Sequence, residues 1–125
     1  MSFTHVLAVA PVTAIEPAVE WYERPLGRPA DARPMDGLAD WHISPYAWLQ
    51  VYESPEQTGG TLVNLVVDDL DRALLDLADR GITAGEPRPG SQGVRFASVH
   101  DPDGNRITLI ENPVAAGRGA DPGAR

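Results

Sequence analysis

The feature that most constrains this chain is an internal repeat: strand, helix, then three strands can be read twice within 125 residues. The segment His5-Val6-Leu7-Ala8-Val9-Ala10-Pro11-Val12 is apolar and partly β-branched, the pattern of a buried strand. Thr13-Ala14-Ile15-Glu16 has capping-box spacing, Ile15, Val19 and Tyr22 follow at helical intervals, and Gly27 marks a stop. Pro17 is compatible because the missing N–H falls in the first turn. Short strands are predicted near Ala32–Pro34, Leu38–Ile43 and Ala47–Tyr52, with Asp36-Gly37 and Ser44-Pro45 as turns. After a linker over 55–60 the order returns. Thr61–Val67 reads as a strand, Asp68-Asp69-Leu70-Asp71 opens a helix to Asp79, Gly81 ends it, and strands are predicted near Thr83–Glu86, Val94–His100 and Arg106–Glu111.

The halves superpose at two offsets. At 55 residues, Val12-Thr13-Ala14-Ile15 falls on Val67-Asp68-Asp69-Leu70 and Leu7 on Leu62. At 58 residues, Leu49-Gln50-Val51-Tyr52-Glu53 falls on Ile107-Thr108-Leu109-Ile110-Glu111. The change of offset places a longer loop in the second half, around Gly90-Ser91-Gln92-Gly93. The expectation is one α+β domain over 1–113, with a first module over about 1–54 and a second over about 61–113. The Gly-, Ala- and Arg-rich stretch 114–125 is expected to be a disordered tail.

Composition narrows the function classes. Cysteine is absent, which excludes thiol nucleophiles, disulfides and Cys-based metal sites. A net charge of −8 without a basic stripe argues against nucleic acid as a partner. No run of apolar residues is long enough for a membrane span, and Met1-Ser2-Phe3-Thr4-His5 lacks the order of a signal peptide, so a cytoplasmic protein is expected.

Two motifs carry a resemblance. Trp21-Tyr22-Glu23-Arg24-Pro25-Leu26-Gly27 resembles the aromatic-Tyr-x-x-x-Leu-Gly helix end of the vicinal oxygen chelate superfamily, and Asp101-Pro102-Asp103-Gly104-Asn105-Arg106 resembles its turn into the last strand. That superfamily includes glyoxalase I, the bleomycin and fosfomycin resistance proteins and the extradiol dioxygenases. The resemblance covers about Thr4 to Pro113 and implies tandem βαβββ modules whose strands curl into a cup-like mixed sheet, helices outside, around a small-molecule cavity. It also implies divalent metal ligands on the first and last strand of each module. Those positions here are Leu7, Gln50, Leu62 and Thr108, which lack imidazole or carboxylate, so no metal and no cofactor is expected. His5 stands in the family's first-strand context Thr-His-Val-x-x-Val and shares a face with Leu7, so a two-residue slip would make it a ligand.

With Gln50 and Thr108 inward, alternation puts Trp48, Gln50 and Tyr52 on one wall and Arg106, Thr108 and Ile110 on another. Leu7, Leu62 and Asn64 line the floor, and Trp41, on a neighbouring strand, is expected to stack a planar or cationic ligand with Trp48. His42 and His100 are expected to be strand residues hydrogen-bonded to neighbours, and Glu53 and Glu111, of opposite parity, strand-end surface residues. The expected function is metal-free binding of an aromatic or cationic small molecule by a homodimer. The alternative is a lyase, isomerase or dioxygenase of the same superfamily with a His5-based or otherwise non-standard site. A third possibility is an accessory protein with a collapsed cavity.

Overall fold

The element order repeats as the sequence requires. The first half runs β1 (Val6–Val12), α1 (Ile15–Leu26), β2 (Ala32–Met35), β3 (Leu38–Ser44) and β4 (Ala47–Glu53). The second runs β5 (Leu62–Val67), α2 (Leu70–Asp79), β6 (Arg88–Pro89), β7 (Arg95–His100) and β8 (Arg106–Glu111). The structure, a computed structural model, describes residues 2–111, so the tail expected over 114–125 lies outside them. Each half forms a four-stranded sheet, ordered β1-β4-β3-β2 and β5-β8-β7-β6. In the first sheet β1 and β4 are parallel, α1 carries the chain from β1 to β2 at the far edge, and β2, β3 and β4 form an antiparallel meander. This is an α+β fold of two βαβββ modules.

Among the described residues, 2–63 with 100–106 form one unit and 64–99 with 107–111 another. The boundary does not follow the linker, because the turn at 101–105 is bonded into the first half. In the first unit, Ala10, Val12, Ala39, Trp41, Leu49 and Val51 form one buried face of the sheet. Over them α1 lays Ile15, Ala18, Val19 and Tyr22. Tyr22 and Trp41 anchor this core with ring centroids 6.0 Å apart. Each such ring removes roughly 200 Å² from water, about 5 kcal/mol at about 25 cal/mol per Å².

The start of α1 differs from the expected capping box. Ala14, not Thr13, is the N-cap and supplies no side-chain bond. The open amide of Ile15 donates instead to the Glu53 carboxylate at 2.9 Å, while the Thr13 hydroxyl donates to Asp103. Glu53 outcompetes a local cap because the end of β4 carries it directly to the helix start. Gly27 ends the helix in the left-handed conformation, φ 76°, its amide donating to Glu23 O.

The second unit repeats the device. Asp69 caps α2 by accepting from Arg72 N at 3.0 Å, and the Glu111 carboxylate accepts from Leu70 N at 2.8 Å. Glu53 and Glu111 are therefore both helix-start acceptors; Glu53 is exposed at the end of β4 as expected, whereas Glu111, only 7% exposed, is not a surface group. The strand expected at Thr83–Glu86 does not form. A single bond links Gly85 N to Ser98 O, and pairing resumes only over Arg88–Pro89. Pro87 and Pro89, lacking N–H donors, truncate this edge.

The Asp101–Asn105 turn is the polar hub of the first unit. Asp101 accepts the Tyr22 hydroxyl at 2.6 Å together with the amides of Asp103 and Asn105. Asn105, fully buried, donates to Pro11 O at 2.7 Å and accepts from Thr61 N at 3.2 Å. Burial, then the adjacent Asp101 carboxylate, push the Tyr22 phenol far above its ordinary range. Gly59, at φ 90°, is required where the linker passes this turn: a Cβ there would meet Asp103 O at 3.0 Å.

Candidate ligand-binding face

Strand register sorts the first sheet into a helix-covered face and an open face. On the open face Leu7 lies beside Trp48, Val9 beside Gln50 and Pro11 beside Tyr52. Across β4, Trp48 faces His42, Gln50 faces Asp40 and Tyr52 faces Leu38. Leu7, Val9 and Tyr52 are each about two-fifths exposed, whereas their strand neighbours Ala10, Leu49 and Val51 are buried under α1. Alternation along pleated strands thus brings Leu7, Trp48, Gln50 and Tyr52 together, as the sequence pattern predicts.

Trp41 is not among them. It points to the opposite face, fully buried, with its indole N–H donating to Arg28 O at 3.0 Å. The expected Trp41–Trp48 pair is corrected by parity: Trp41 pairs with Leu49, one residue out of phase with Trp48. The partner of Trp48 is His42, stacked at a centroid distance of 4.0 Å and an interplanar angle of 21°. His5, just before β1, meets Trp48 edge-on at 5.4 Å and Tyr46 at 5.8 Å. The backbone of His42 is fixed from outside, its amide donating to Asp31 at 2.6 Å and its carbonyl accepting from Arg28 at 2.6 Å. That bond from His42 N, ahead of the nearby Arg28 charge, holds the Asp31 carboxyl below its usual range. The His42 ring nitrogen Nε2 is enclosed without a hydrogen-bond partner.

Asp40 is the member of this face that sequence reasoning missed. It is 3% exposed, and its carboxylate accepts from Gln50 Nε2 at 3.1 Å. The signal was present in the sequence: an aspartate in phase with His42 inside the apolar run Leu38–Ile43.

In the second half of the chain, Asn64 and Val66 are exposed while Leu65 and Val67 are less so. Thr108 and Ser98 share a face, their hydroxyls 2.8 Å apart. Leu62 is 64% exposed, and Arg106 is exposed at the start of β8. His100 is exposed at the end of β7. The exposed side chains of β5 are thus Leu62, Asn64 and Val66, and the Ser98 and Thr108 hydroxyls are half-buried.

The positions at which the superfamily holds a metal do not fit one. Leu7 and Leu62 have no donor atom, Gln50 donates to Asp40, and the Thr108 hydroxyl is bonded to Ser98. Among the described residues no group of at least three His, Cys, Asp or Glu side chains could hold a metal ion. No helix among them is long and apolar enough to cross a membrane.

Comparison with solved structures places these features among relatives. A glyoxalase/bleomycin resistance protein from Catenulispora acidiphila is 31% identical with a TM-score of 0.82, the match covering 89% of this chain and 100% of that one. TnmS3, an antibiotic binding protein from Streptomyces sp. CB03234, is 27% identical with a TM-score of 0.74, over 89% of this chain and 98% of its own. A bleomycin-binding protein complexed with bleomycin shares the fold at 20% identity and a TM-score of 0.71, over 89% and 99% of the two chains. No family model matches the chain, and no curated protein matches it.

Proposed function

The chain belongs to the glyoxalase/bleomycin resistance protein family of the vicinal oxygen chelate superfamily, and from that premise we propose that it is a metal-free binding protein for aromatic or cationic small molecules. The observation that carries this reading is the open face of the first sheet, where Trp48 lies stacked on His42 with His5 at its edge. An aromatic surface flanked by a few polar groups is the composition of a small-molecule site. The antibiotic-binding relative at 27% identity supports the same class of activity. The donor-poor set Leu7, Gln50, Leu62 and Thr108 supports binding without a metal.

A homodimer is part of the proposal. Phe3, Val6, Ile43 and Tyr46 are exposed around the start of β1 and the β3–β4 turn, 87%, 73%, 42% and 69% respectively. They form an uncharged apolar end on an acidic chain, a surface that a second copy can cover without bringing like charges together. Sedimentation of the wild-type protein and of a Val6→Glu variant tests it: a dimer that the variant dissociates is expected, and a monomeric wild type overturns it.

The binding reading is tested by titrating the protein with aromatic compounds, bleomycin included, while following tryptophan fluorescence and melting temperature. Saturable quenching and a raised melting temperature are expected, and Trp48→Ala should remove both. Metal analysis after chelation and reloading tests the remainder: stoichiometric retention of Ni, Zn, Mn or Fe would refute a metal-free site.

A further inference from the structure

We propose that Asp40, with Gln50, makes the open face selective for ligands whose head is an N–H-bearing organic cation, an amidinium, guanidinium or primary ammonium, carried on a planar ring. This rests on the binding reading above and sharpens it from aromatic or cationic to both in one molecule. Asp40 is a carboxylate 97% removed from solvent, yet its side-chain donor among the described residues is one neutral amide, Gln50 Nε2 at 3.1 Å. None of the ion pairs among those residues reaches it: Arg28 is paired with Asp31 at 2.9 Å and Arg33 with Glu16 at 2.8 Å. A buried charge without a counter-charge is costly, and an apolar residue of similar size would be cheaper at that position. Its cost is offset when a ligand brings the missing positive charge.

The hydrogen-bond inventory specifies the ligand further. The Gln50 amide spends an N–H on Asp40, so its Oε1 and the second carboxylate oxygen are acceptors on one face. Two acceptors beside one another match a head with two N–H groups, and amidinium and guanidinium meet a carboxylate in that forked geometry. Anionic and carbonyl heads would find acceptors opposing acceptors. His42, the next residue of β3 on this face, has its own unsatisfied Nε2 and stacks on Trp48, so the surface beside Asp40 is a ring plane. A permanent cation lacking N–H would gain attraction to the rings but no bond to the carboxylate.

The test uses one ring with four heads: benzamidine, benzamide, benzoate and phenyltrimethylammonium, titrated against the full chain by tryptophan fluorescence. Benzamidine is expected to bind at least about tenfold more tightly than the other three, the advantage of a charge-assisted hydrogen bond. In Asp40→Asn and Asp40→Leu that advantage should fall to within about threefold. Circular dichroism establishes which variant is folded, and the apolar Leu is included because it removes the buried charge without leaving a hydrogen-bonding group. Equal binding of benzamide, benzoate or phenyltrimethylammonium overturns the proposal, as does an amidine preference that survives in the variants. If the probes bind without regard to charge and Trp48→Ala abolishes the signal, the binding face stands and the charge selection falls. If none gives a saturable change, both readings fall.

Discussion

At matched positions in the two halves, 58 residues apart, Ser44-Pro45-Tyr46-Ala47 and Pro102-Asp103-Gly104-Asn105 each turn the chain into its module's last strand. The first turn is exposed, and its Tyr46 lies beside His5 at the end of the open face. The second is anchored by two buried polar residues, Asp101 and Asn105. Even the same backbone donor is satisfied differently. Val6 N bonds the carbonyl of Tyr46 at 2.9 Å, whereas Thr61 N, its counterpart at offset 55, bonds the Asn105 side chain at 3.2 Å. A duplicated frame has thus been divided by task. One turn is left free to present rings, and the other is spent on holding the chain together.

The largest effect that would break this comparison is at Asn105. Asn105→Ala strands Pro11 O and Thr61 N in a buried site and removes a donor to Asp101. The expected cost is about 3 kcal/mol by denaturant unfolding, while the matched turn substitution Tyr46→Ser should cost less than about 0.5 kcal/mol. Equal costs would mean that the second turn is no more structural than the first.

A second contrast lies in the two carboxylates at the helix starts. Glu53 and Glu111 occupy equivalent positions and accept from equivalent amides, Ile15 and Leu70, yet Glu111 is buried and Glu53 exposed. Glu111→Ala should therefore cost about 2 kcal/mol and Glu53→Ala about 1 kcal/mol or less, even though α1 has no side-chain cap of its own. The reverse order in chemical denaturation would show that the missing cap, not burial, sets the value of each contact.

The element order was legible because strand and helix periods differ and because the repeat supplied each half with a check from the other. The open face was legible through parity once Gln50 was placed inward, which grouped Trp48, Tyr52 and Leu7 correctly. Trp41 was misplaced because aromatic character was allowed to outweigh parity, although one residue of phase sends a strand side chain to the opposite face. The roles of Glu53 and Glu111 were not legible. Their distance from the helix starts depends on how each last strand lies against the first, a tertiary relation without a local signal. Asp40 was overlooked for a related reason: an acidic residue in a strand reads as exposed until its neighbours are known to bury it.

A last contrast at neutral pH concerns Tyr22, whose counterpart at offset 55 is Leu77. Both are buried beneath their helices, so the ring is the shared feature of packing and the hydroxyl is the addition of the first half. Tyr22→Phe keeps the ring and removes the donor to Asp101, at a cost of about 1 kcal/mol. The hydroxyl should declare itself more clearly in alkali. Burial and the Asp101 carboxylate raise the folded phenol well above its ordinary value of 10.0, so the unfolded chain loses this proton first. Stability contributed by the neutral phenol is then complete below pH 10 and falls as pH rises beyond it, by up to about 1.4 kcal/mol per pH unit. The chain has no lysine, so no ammonium titration overlaps this range. Denaturant unfolding of wild type and Tyr22→Phe between pH 9 and 11 should show wild type losing its advantage as pH rises, with the curves converging. Parallel curves would mean that the phenol ionises freely in the folded protein, and that the Tyr22–Asp101 bond does not distinguish the first half from the second.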